Sequence, residues 1–326
     1  MSTPNSERKI HAIGLDVGGT KIAGGLVAFP AGRVLARRVI PTGAERGGEV
    51  VLQDTLRLAE ELLHEAAGLH LEVAGIGVGV AELVDLKGQV TSGQTIRWEG
   101  LPVQQRFSSL AAAIVESDVR AAALAEALLG SGKSFELFAY VTVGTGISYS
   151  LVQAGRPYAG ARGNALVLSS SPLTTTCTHC GALLRPVLEE FASGPALVAR
   201  YNNQAANKAE RAQEVLAAAE SSDSAAVDVV KTAAESLGVS VAFLINTLDP
   251  QAVIVGGGLG LAGGLYWNSF VNSVRQHIWA DTSRDLPILE AQLGTDAGLI
   301  GAAATILGRE HPDLLPGCCG TSRESP

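Results

Sequence analysis

The sequence predicts an α/β protein built from two doubly wound units with a cleft between them. Apolar runs of strand length alternate along the chain with longer segments whose apolar residues recur at helical spacing. One device, a strand, a tight glycine turn and a returning strand, occurs at residues 11–29 and is repeated at residues 137–154. With 326 residues, the chain is long enough for one large domain or two medium ones.

Composition argues against several classes of protein. The formal net charge of −8 disfavours a nucleic-acid binder, because such proteins neutralise phosphates with Lys and Arg. No apolar run reaches the roughly 18 residues of a membrane span, and the polar N-terminal segment does not resemble a signal peptide. Four cysteines are too few for a disulfide scaffold in a chain of this length. We therefore expect a cytoplasmic protein.

The elements of the first half follow from apolar spacing and from turn residues. Residues 48–69 place apolar side chains on one helical face, and Gly130 is a typical stop after a helix of small residues. Strands are predicted at residues 11–15, 22–29, 33–40, 71–80 and 111–115. Helices are predicted at residues 48–69, 101–110 and 119–129.

The second half repeats the alternation with longer helices. The longest predicted helix ends at Asp249-Pro250, since proline cannot continue a helix. Strands are predicted at residues 137–143, 147–154, 252–255 and 287–292. Helices are predicted at residues 192–201, 209–220, 224–248, 265–278 and 296–307, and residues 159–186 are predicted to be irregular.

The first glycine turn contains residues suited to binding a polyphosphate. Gly18 and Gly19 carry no Cβ, so backbone N–H groups there can approach an anion closely. Thr20 adds a hydroxyl and Lys21 a positive charge, while Asp16, at the end of the strand, can hold Mg²⁺ through water. A plain hairpin with a solvated aspartate explains this stretch equally well when it is considered alone.

Two more glycine-rich turns follow buried strands later in the chain. They are Gly144-Thr145-Gly146 and Gly256-Gly257-Gly258. Three such turns can converge on one nucleotide, with the first holding the outer phosphates and the third the adenosine end. The spacing Gly258-x-Gly260-x-x-Gly263 also matches a dinucleotide-binding motif, but a lone match is weak evidence and too little chain follows it for a full dinucleotide fold.

Asp118 is the candidate catalytic base. It lies where a predicted strand ends and a predicted helix begins, and a helix N-terminus favours a carboxylate by about 0.3–1 kcal/mol. Transfer of a phosphoryl group to an alcohol needs a carboxylate within hydrogen-bonding distance of the attacking hydroxyl. An aspartate at this position also fits a helix N-cap, and the two roles are compatible.

Taken together, the motifs resemble the ROK family of sugar kinases and repressors, in the actin/hexokinase-like ATPase superfamily. They are, in chain order, Asp-x-Gly-Gly-Thr-Lys at 16–21, Glu-x-Asp at 116–118, Gly-Thr-Gly-Ile at 144–147, Ala-Ser-Gly-Pro at 192–195, Gly-Gly-Gly at 256–258 and Asp-Ala-Gly-Leu-Ile-Gly-Ala at 296–302. The resemblance covers residues ~10–308, and its combination of motifs is specific.

The resemblance implies a bilobal, ribonuclease-H-like fold of the actin/hexokinase type, with ATP and Mg²⁺ in an interlobe cleft. It implies an N-terminal lobe of residues 1–117 completed by a C-terminal helix at 296–308, and a second lobe of residues 118–295. It also implies a homodimer, and phosphorylation of a sugar hydroxyl with the aspartate at position 118 as the base. The Pro-, Gly- and charge-rich composition from Arg309 onwards predicts a loose tail at 309–326.

Three departures from the family pattern affect the expected substrate site. The family's Asn between Glu and Asp is replaced by Ser117, and the Glu and His that grip the sugar ring are replaced by Val167 and Ser170. A later Glu of the family pattern is kept as Glu189. We expect Ser117, Asp118 and Glu189 to contact the substrate.

The family's zinc site is incomplete in this sequence. Cys177, His179 and Cys180 offer three ligands at close spacing, whereas structural zinc takes four. The family's third Cys position carries Val187. A loop without metal is therefore the expected state, with structural zinc as the alternative.

Loss of the sugar-gripping Glu removes acceptors for two ring hydroxyls, so plain glucose is not the first expectation. We expect a ring that differs at the edge away from the phosphorylated CH₂OH. A C7 cyclitol such as valiolone or 2-epi-5-epi-valiolone, as in antibiotic biosynthesis, comes first, and a kanosamine- or glucose-type kinase is the alternative. Glu82, Arg97 and Arg120 are candidates for replacement contacts, although each also fits a solvent-facing charge.

Two alternatives belong to other classes of function. Repressors of the family carry an N-terminal helix-turn-helix of roughly 60–80 residues, whereas only 12 residues precede Ile13. A non-catalytic sugar-binding regulator would explain the lost Glu and His, but such a protein has no need of both nucleotide turns and the base.

Overall fold

The structure is a computed structural model that describes residues 9–177, 180–205 and 207–310. Its strands are β1 (Ile10–Val17), β2 (Lys21–Phe29), β3 (Arg33–Pro41), β4 (Val73–Val80), β5 (Ala113–Ser117), β6 (Leu137–Val143), β7 (Ile147–Gln153), β8 (Arg156–Pro157), β9 (Thr175–Thr176), β10 (Leu183–Leu184), β11 (Ala252–Gly256) and β12 (Ile288–Glu290). Its helices are α1 (Gly48–Gly68), α2 (Val103–Ser108), α3 (Asp118–Leu129), α4 (Leu188–Ala192), α5 (Gly194–Gln204), α6 (Ala212–Glu220), α7 (Ser224–Leu248), α8 (Gly264–His277), α9 (Asp281–Arg284) and α10 (Ala297–Glu310).

The chain divides into two units, each with its own sheet and core. Unit 1 contains the described residues up to Glu136, the segment Val152–Ala165 and the described chain from Thr295. Unit 2 contains Leu137–Leu151 and Leu166–Gly294. This division differs from the lobe boundary predicted after residue 117, because the chain stays in unit 1 until residue 136 and returns to it at residues 152–165.

Unit 1 is built on a five-stranded mixed sheet with the strand order β3-β2-β1-β4-β5. β1, β2 and β3 form an antiparallel meander, while β4 and β5 run parallel to β1. In this register Asp16 of β1 lies beside Gly79 of β4, and Gly79 lies beside Glu116 of β5. The carboxyl ends of these three strands therefore meet at one edge, where ligands bind in open α/β sheets.

α10 packs directly on this sheet because glycines remove the side chains that would hold the two backbones apart. A Cβ at Gly14 of β1 would lie 1.8 Å from the carbonyl oxygen of Leu299, and a Cβ at Gly301 of α10 would lie 1.8 Å from that of Ala121 in α3. α3 and α10 thus meet backbone to backbone. This packing holds residues 118–129 in unit 1 and explains the difference from the predicted boundary.

α1 supplies the apolar face that the sequence predicted for residues 48–69. Its side chains Leu52, Leu58 and Leu62 share one core with Ile13 and Leu15 of β1, and all five are almost completely buried. The helix bounds agree with the prediction to within one residue.

Unit 2 contains a second sheet in which β12, β11, β6 and β7 follow one another. β6, β11 and β12 are parallel. The apolar faces of α7 and α8 enter the same core as β6, β7 and β11. α7 ends before Asp249, whose left-handed backbone has a φ of 46° and which directly precedes Pro250, so the predicted break is confirmed.

Two regions differ from the sequence-based prediction. The predicted helix 192–201 is divided into α4 and α5 at Ser193, whose Oγ accepts a hydrogen bond from the N–H of Ala196. Pro195 reinforces the new start, since its fixed φ suits the first turn of a helix. The stretch 159–186, predicted to be irregular, contains the short hairpin β9–β10.

The predicted tail at 309–326 begins inside α10, and from residue 311 onwards it lies outside the described residues. Of the helices that the structure describes, none combines the length and the apolar character needed to cross a bilayer.

Replacement of Gly14 by alanine is expected to destabilise the protein, because the new Cβ meets a backbone carbonyl of α10 that no side-chain rotation can move. We expect the free energy of unfolding, measured by urea titration, to fall by about 1–3 kcal/mol. Gly68→Ala is the matched control, since nothing lies within 4 Å of a Cβ at this last residue of α1. An unchanged unfolding midpoint for Gly14→Ala would contradict the packing described for α10.

Candidate functional site

The first glycine turn is held from one side by Thr42, a fully buried residue that follows β3. The Thr42 hydroxyl donates to the carbonyl of Gly18 (2.6 Å), and its N–H donates to the carbonyl of Thr20 (3.0 Å). The N–H of Gly18 closes the turn on the carbonyl of Lys21 (3.1 Å). Across the described residues no acceptor is recorded for the N–H groups of Gly19 and Thr20, which suits them to bind an anion.

Glu82 organises the loop that lies against this turn. Its carboxylate accepts hydrogen bonds from the N–H groups of Thr95 (2.7 Å) and Ile96 (2.6 Å) and from the Ser92 hydroxyl. Burial raises the pKa of Glu82, but these hydrogen bonds outweigh burial and leave the pKa below its usual value. A Cβ at Gly19 would lie 2.7 Å from the methyl group of Thr95, so the loop packs on the turn where only glycine fits.

Both oxygens of Glu82 already accept hydrogen bonds from the protein, so it serves as a loop anchor, and its contact with the substrate stays a prediction. Arg120 is not a solvent-facing charge either, because its side chain is buried and its guanidinium donates to protein groups. Arg97 differs from both. It is exposed, its backbone is left-handed with a φ of 62°, and no partner of its guanidinium is recorded in the described chain, so it stays a candidate.

Asp16 and Asp118 lie at the same edge of the unit 1 sheet, at the ends of β1 and β5. Burial raises the pKa of Asp16 to about 6, with the charge of Lys21 opposing the rise. Burial, and after it the negative charge of Asp16, raises the pKa of Asp118 to about 7. Carboxyl groups whose pKa is displaced towards neutrality by burial and by a like charge are typical of catalytic sites.

The side chain of Asp118 is held by its two neighbours. Its Oδ1 accepts a hydrogen bond from the N–H of Val119 (2.7 Å), and the Ser117 hydroxyl also bonds to the carboxylate. α3 begins at Asp118, so the N-cap is Ser117 and the alternative of Asp118 as the cap residue is wrong. Ser117 thus contacts the candidate base, while its contact with a substrate stays a prediction.

The surroundings of Asp16 fit a hydrated cation. No hydrogen-bond donor to its carboxylate is recorded among the residues that the structure describes, although the side chain is partly buried. A Cβ at Gly298 would lie 2.5 Å from this carboxylate, so the position keeps space open beside it. Mg²⁺ is bound in proteins through one or two carboxylates and several waters, which matches a lone carboxylate beside a phosphate-binding turn.

In unit 2 the second and third glycine turns lie against each other. The N–H groups of Leu259 and Gly260, which follow the third turn, donate to the carbonyl of Val143, which precedes the second turn (2.9 and 3.1 Å). Glu189 of α4 accepts a hydrogen bond at Oε2 from the N–H of Ile147, the residue after the second turn (2.7 Å). The structure thus groups Glu189 with the second turn, against which the third turn lies.

The loop that carries Val167 and Ser170 is anchored by apolar side chains. Leu166, with a left-handed φ of 62°, and Leu168 both pack against the core of unit 2. Val167 between them is 45% exposed, and Ser170 is exposed. This loop therefore exposes the methyl groups of Val167 and the hydroxyl of Ser170, and their correspondence to the family's Glu and His stays a prediction.

Of the three predicted zinc ligands, the structure describes Cys177 and Cys180. Cys177 and Cys180 lie at the β9–β10 turn, where the N–H of Gly181 donates to the carbonyl of Cys177 (2.8 Å), and His179 lies outside the described residues. Within the described ranges no three His, Cys, Asp or Glu side chains are placed to hold a metal. Two thiols fill only two of the four positions that structural zinc requires.

Sequence analysis missed Thr42, which shapes the first turn from outside it. The signal lies in the pairing of β2 with β3, which sets Pro41 opposite Lys21 and so brings residue 42 beside the turn. It also missed Thr95, because the loop that carries this residue has no periodic pattern and is placed by Glu82.

Asp118→Asn is expected to make stability less dependent on pH. The carboxyl of Asp118 keeps its proton up to about pH 7 in the folded protein but loses it near its usual pKa of 3.8 in the unfolded chain. The unfolded chain therefore binds fewer protons between these values, and stability falls as the pH rises from about 4 to about 7. We expect the Tm of Asp118→Asn relative to the parent to be higher at pH 8 than at pH 5. The exposed Asp285→Asn is the control, and a Tm difference independent of pH would contradict this prediction.

The chain matches the ROK family model over residues 12–309. It is 31% identical to a glucokinase of Streptomyces coelicolor over 324 residues, which cover 93% of this chain and 99% of the relative. It is 26% identical to an N-acetylmannosamine kinase of Escherichia coli, covering 91% of this chain and 99% of the relative.

Solved structures agree with these relatives. A ROK family glucokinase from Streptomyces griseus, in complex with glucose and AMPPNP, superposes with a TM-score of 0.77 at 28% identity, over 90% of this chain and 98% of that one. A ROK hexokinase from Thermus thermophilus superposes with a TM-score of 0.73 at 32% identity, over 91% and 97%. The fold is thus the α/β fold of the actin/hexokinase-like ATPases, and the protein is an ATP-dependent phosphotransferase with an alcohol group as acceptor. The chain belongs to the ROK family.

Proposed function

We propose that the protein transfers the γ-phosphoryl group of ATP to a hydroxyl of a sugar-like ring, with the primary CH₂OH as the acceptor. The observation that carries the proposal is the pair of carboxylates, Asp16 and Asp118, at one sheet edge beside a glycine turn with unused N–H groups. A base, a metal-binding carboxylate and phosphate-binding amides are the parts that phosphoryl transfer to an alcohol requires.

We assign Asp118 the role of general base. Its pKa of about 7 leaves a large fraction ionised at neutral pH and makes the carboxylate basic enough to accept a proton. As the acceptor oxygen forms its bond to the γ-phosphorus, the bond from that phosphorus to the β–γ bridging oxygen breaks, ADP leaves, and the hydroxyl proton passes to this carboxylate. Ser117 and Val119 hold the carboxylate in place, so little reorientation is needed during the transfer.

We assign Asp16, Gly19, Thr20 and Lys21 to Mg²⁺ and the outer phosphates. When bound, Mg²⁺ neutralises negative charge on the phosphates and so stabilises the transition state. A cation beside Asp16 favours its ionised form, which lowers a pKa that burial has raised. The charge of Lys21 acts in the same direction on Asp16 and is available to the phosphates.

In unit 2 we assign Gly144–Gly146 and Gly256–Gly258 to the nucleotide. Glu189 holds the residue after the first of these turns through its Oε2. No partner of its Oε1 is recorded in the chain as described, and we propose that this oxygen accepts a hydrogen bond from the substrate.

The substrate follows from two observations that point in different directions. The kinases of glucose and N-acetylmannosamine among the relatives favour a hexose. The exposed Val167 and Ser170 cannot replace the hydrogen bonds of a carboxylate and an imidazole, which favours a ring with fewer polar groups at that edge. We propose a C7 cyclitol of the valiolone type as the substrate, with glucose or kanosamine as the alternative.

A non-catalytic sugar-binding regulator is the second candidate function. The same loop favours it, because a protein that does not phosphorylate its ligand has less need of the Glu and His that grip the ring. The two candidates differ in one measurable property, the release of ADP when a ring with a free CH₂OH is supplied.

A substrate panel tests the proposed specificity. Purified protein with Mg·ATP is supplied with glucose, mannose, N-acetylmannosamine, kanosamine, valiolone and 2-epi-5-epi-valiolone, and ADP release is followed. We expect kcat/KM to be highest for a cyclitol, because the Val167 edge leaves no protein acceptor unpaired with such a ring. Highest kcat/KM for glucose would overturn the cyclitol assignment and keep the kinase, whereas no ADP release with any ring would favour the regulator.

Asp118→Asn tests the proposed base. An amide cannot accept the hydroxyl proton, so we expect kcat to fall by roughly 10²–10⁴-fold. ATP binding, measured by calorimetry, should stay close to the parental value, since Asp118 is not assigned to the nucleotide. Asp285→Asn, an exposed replacement of the same kind, should leave both quantities unchanged. Near-parental kcat in Asp118→Asn would remove this residue from the role of base.

A further inference from the structure

Arg120, the third residue of α3, is a buried cation with an exposed fraction of 6%. Its Nε donates to the carboxylate of Glu116 (2.6 Å). One terminal nitrogen donates to the carbonyl of Gly163 (2.6 Å) and the other to the carbonyl of Val84 (2.8 Å). Burial of a charge is tolerated when its donors are paired in this way. The guanidinium thus joins three segments of unit 1 at one point.

The first of these segments carries the candidate base. Glu116 and Arg120 are four residues apart, on either side of Asp118, and their ion pair spans the junction between β5 and α3. The same oxygen of Glu116 accepts a hydrogen bond from the N–H of Ser117 (2.7 Å). The backbone on both sides of Asp118 is therefore fixed by one ion pair.

The other two segments, which carry Val84 and Gly163, lie so close together that a side chain at Gly163 would not fit. Gly163 has a left-handed φ of 85°, and a Cβ there would lie 2.1 Å from the carbonyl oxygen of Val84. The carbonyls of both residues accept hydrogen bonds from the one guanidinium, so without the cation both would lose a charged donor. Val84 also follows Glu82 by two residues, so the second segment is the one that anchors the loop against the first glycine turn.

Charge adds a second effect to this geometry. Around Asp118 in unit 1 the charged groups are Asp16 at the end of β1, Glu116 at the end of β5, Lys21 beside Asp16, and Arg120, while the neighbouring position on β4 is Gly79. Arg120 lowers the pKa of Asp118, opposing burial and Asp16. An apolar side chain of similar length would fill the same space but would supply neither the donors nor the charge.

We propose that Arg120 is a positioning residue for Asp118: it locks the start of α3 to Glu116 and ties it to the backbone of Val84 and Gly163, so that the base is held for the acceptor hydroxyl. The inference rests on the proposed kinase function for its kinetic consequences. Its electrostatic consequence is independent of any substrate.

Two replacements of Arg120 separate geometry from charge. Arg120→Met removes both, and we expect kcat to fall roughly 10- to 100-fold with KM for ATP changed by no more than about twofold. The acid limb of the kcat/KM profile should move to higher pH, because a charge that favours ionised Asp118 is gone. Arg120→Lys keeps the charge without the planar fork, so it should lower kcat while leaving the acid limb in place.

The ionisation of Asp118 can be followed without turnover. In protein labelled with ¹³C at the aspartate carboxyl carbons, the Asp118 resonance is assigned with Asp118→Asn and titrated in the parent and in Arg120→Met. We expect the titration midpoint to move to higher pH in Arg120→Met. If the parent phosphorylates no ring of the panel, the proposed function fails, whereas a moved midpoint still supports the link between Arg120 and Asp118 and an unmoved one overturns it.

Arg38→Met is the matched control, because it removes an exposed Arg–Glu pair of unit 1, with Glu65 at 2.7 Å, and should change neither kcat nor the pH profile. If Arg120→Met does not fold, Gly163→Ala disturbs the same junction while Arg120 keeps its charge, and we expect the result given for Arg120→Lys. In Arg120→Met, a kcat loss no larger than that of Arg38→Met, or a pH profile and an Asp118 titration that superimpose on the parental ones, would overturn the proposal.

Discussion

The parallel register of β1, β4 and β5 is the constraint on which the rest of unit 1 depends. It sets Asp16 of β1 beside Gly79 of β4, and Gly79 beside Glu116 of β5. Asp16 and Asp118, which follows β5, therefore reach the same edge of the sheet, and the residue of β4 at this level has no side chain. Burial raises the pKa of both Asp16 and Asp118, and the negative charge of Asp16 adds to the rise at Asp118. The backbone pairing of the three strands holds both aspartates at this edge of the sheet.

Neighbouring groups oppose the rise in the pKa of these two aspartates, either by charge or by hydrogen bonding. Lys21 and Arg120 act through charge, and the N–H of Val119 acts through a hydrogen bond to Asp118. Glu82 shows the opposite shift. The backbone N–H groups of the 92–97 loop donate to its carboxylate and keep its pKa below the usual value in spite of burial. Glu82 thus holds structure, whereas Asp16 and Asp118 are the two carboxylates that we propose for the chemistry.

Much of the fold was predictable because local signals were consistent with the final packing. The glycine turns, the amphipathic pattern of α1 and the stop at Asp249-Pro250 need only neighbours in sequence, and the structure contains all of them. The assignment of α3 to unit 1 was not predictable, because it depends on α10. This helix begins about 180 residues after the start of α3 and packs on it by backbone contact at Gly301.

The site divides in the same way. The aspartates and glycines were recognised as candidates because their chemistry is visible in the residue type. The roles of Glu82 and Arg120 were not, since a charged residue in sequence resembles a surface residue and only the fold reveals the backbone groups that enclose it. The contact of Thr42 with the first turn could not be predicted without the register of β2 and β3, which sets Pro41 opposite Lys21.

The contact of α10 with β1 has a consequence for synthesis of the chain. The helix that covers Gly14 begins about 280 residues after β1 ends, so the sheet of unit 1 is synthesised before its backbone partner. Until Leu299 has been synthesised, the glycine-lined surface of β1 and β4 lacks the helix that packs on it. Contacts between such distant segments close slowly, so we expect the packing of α10 on β1 to be a late step in the folding of unit 1.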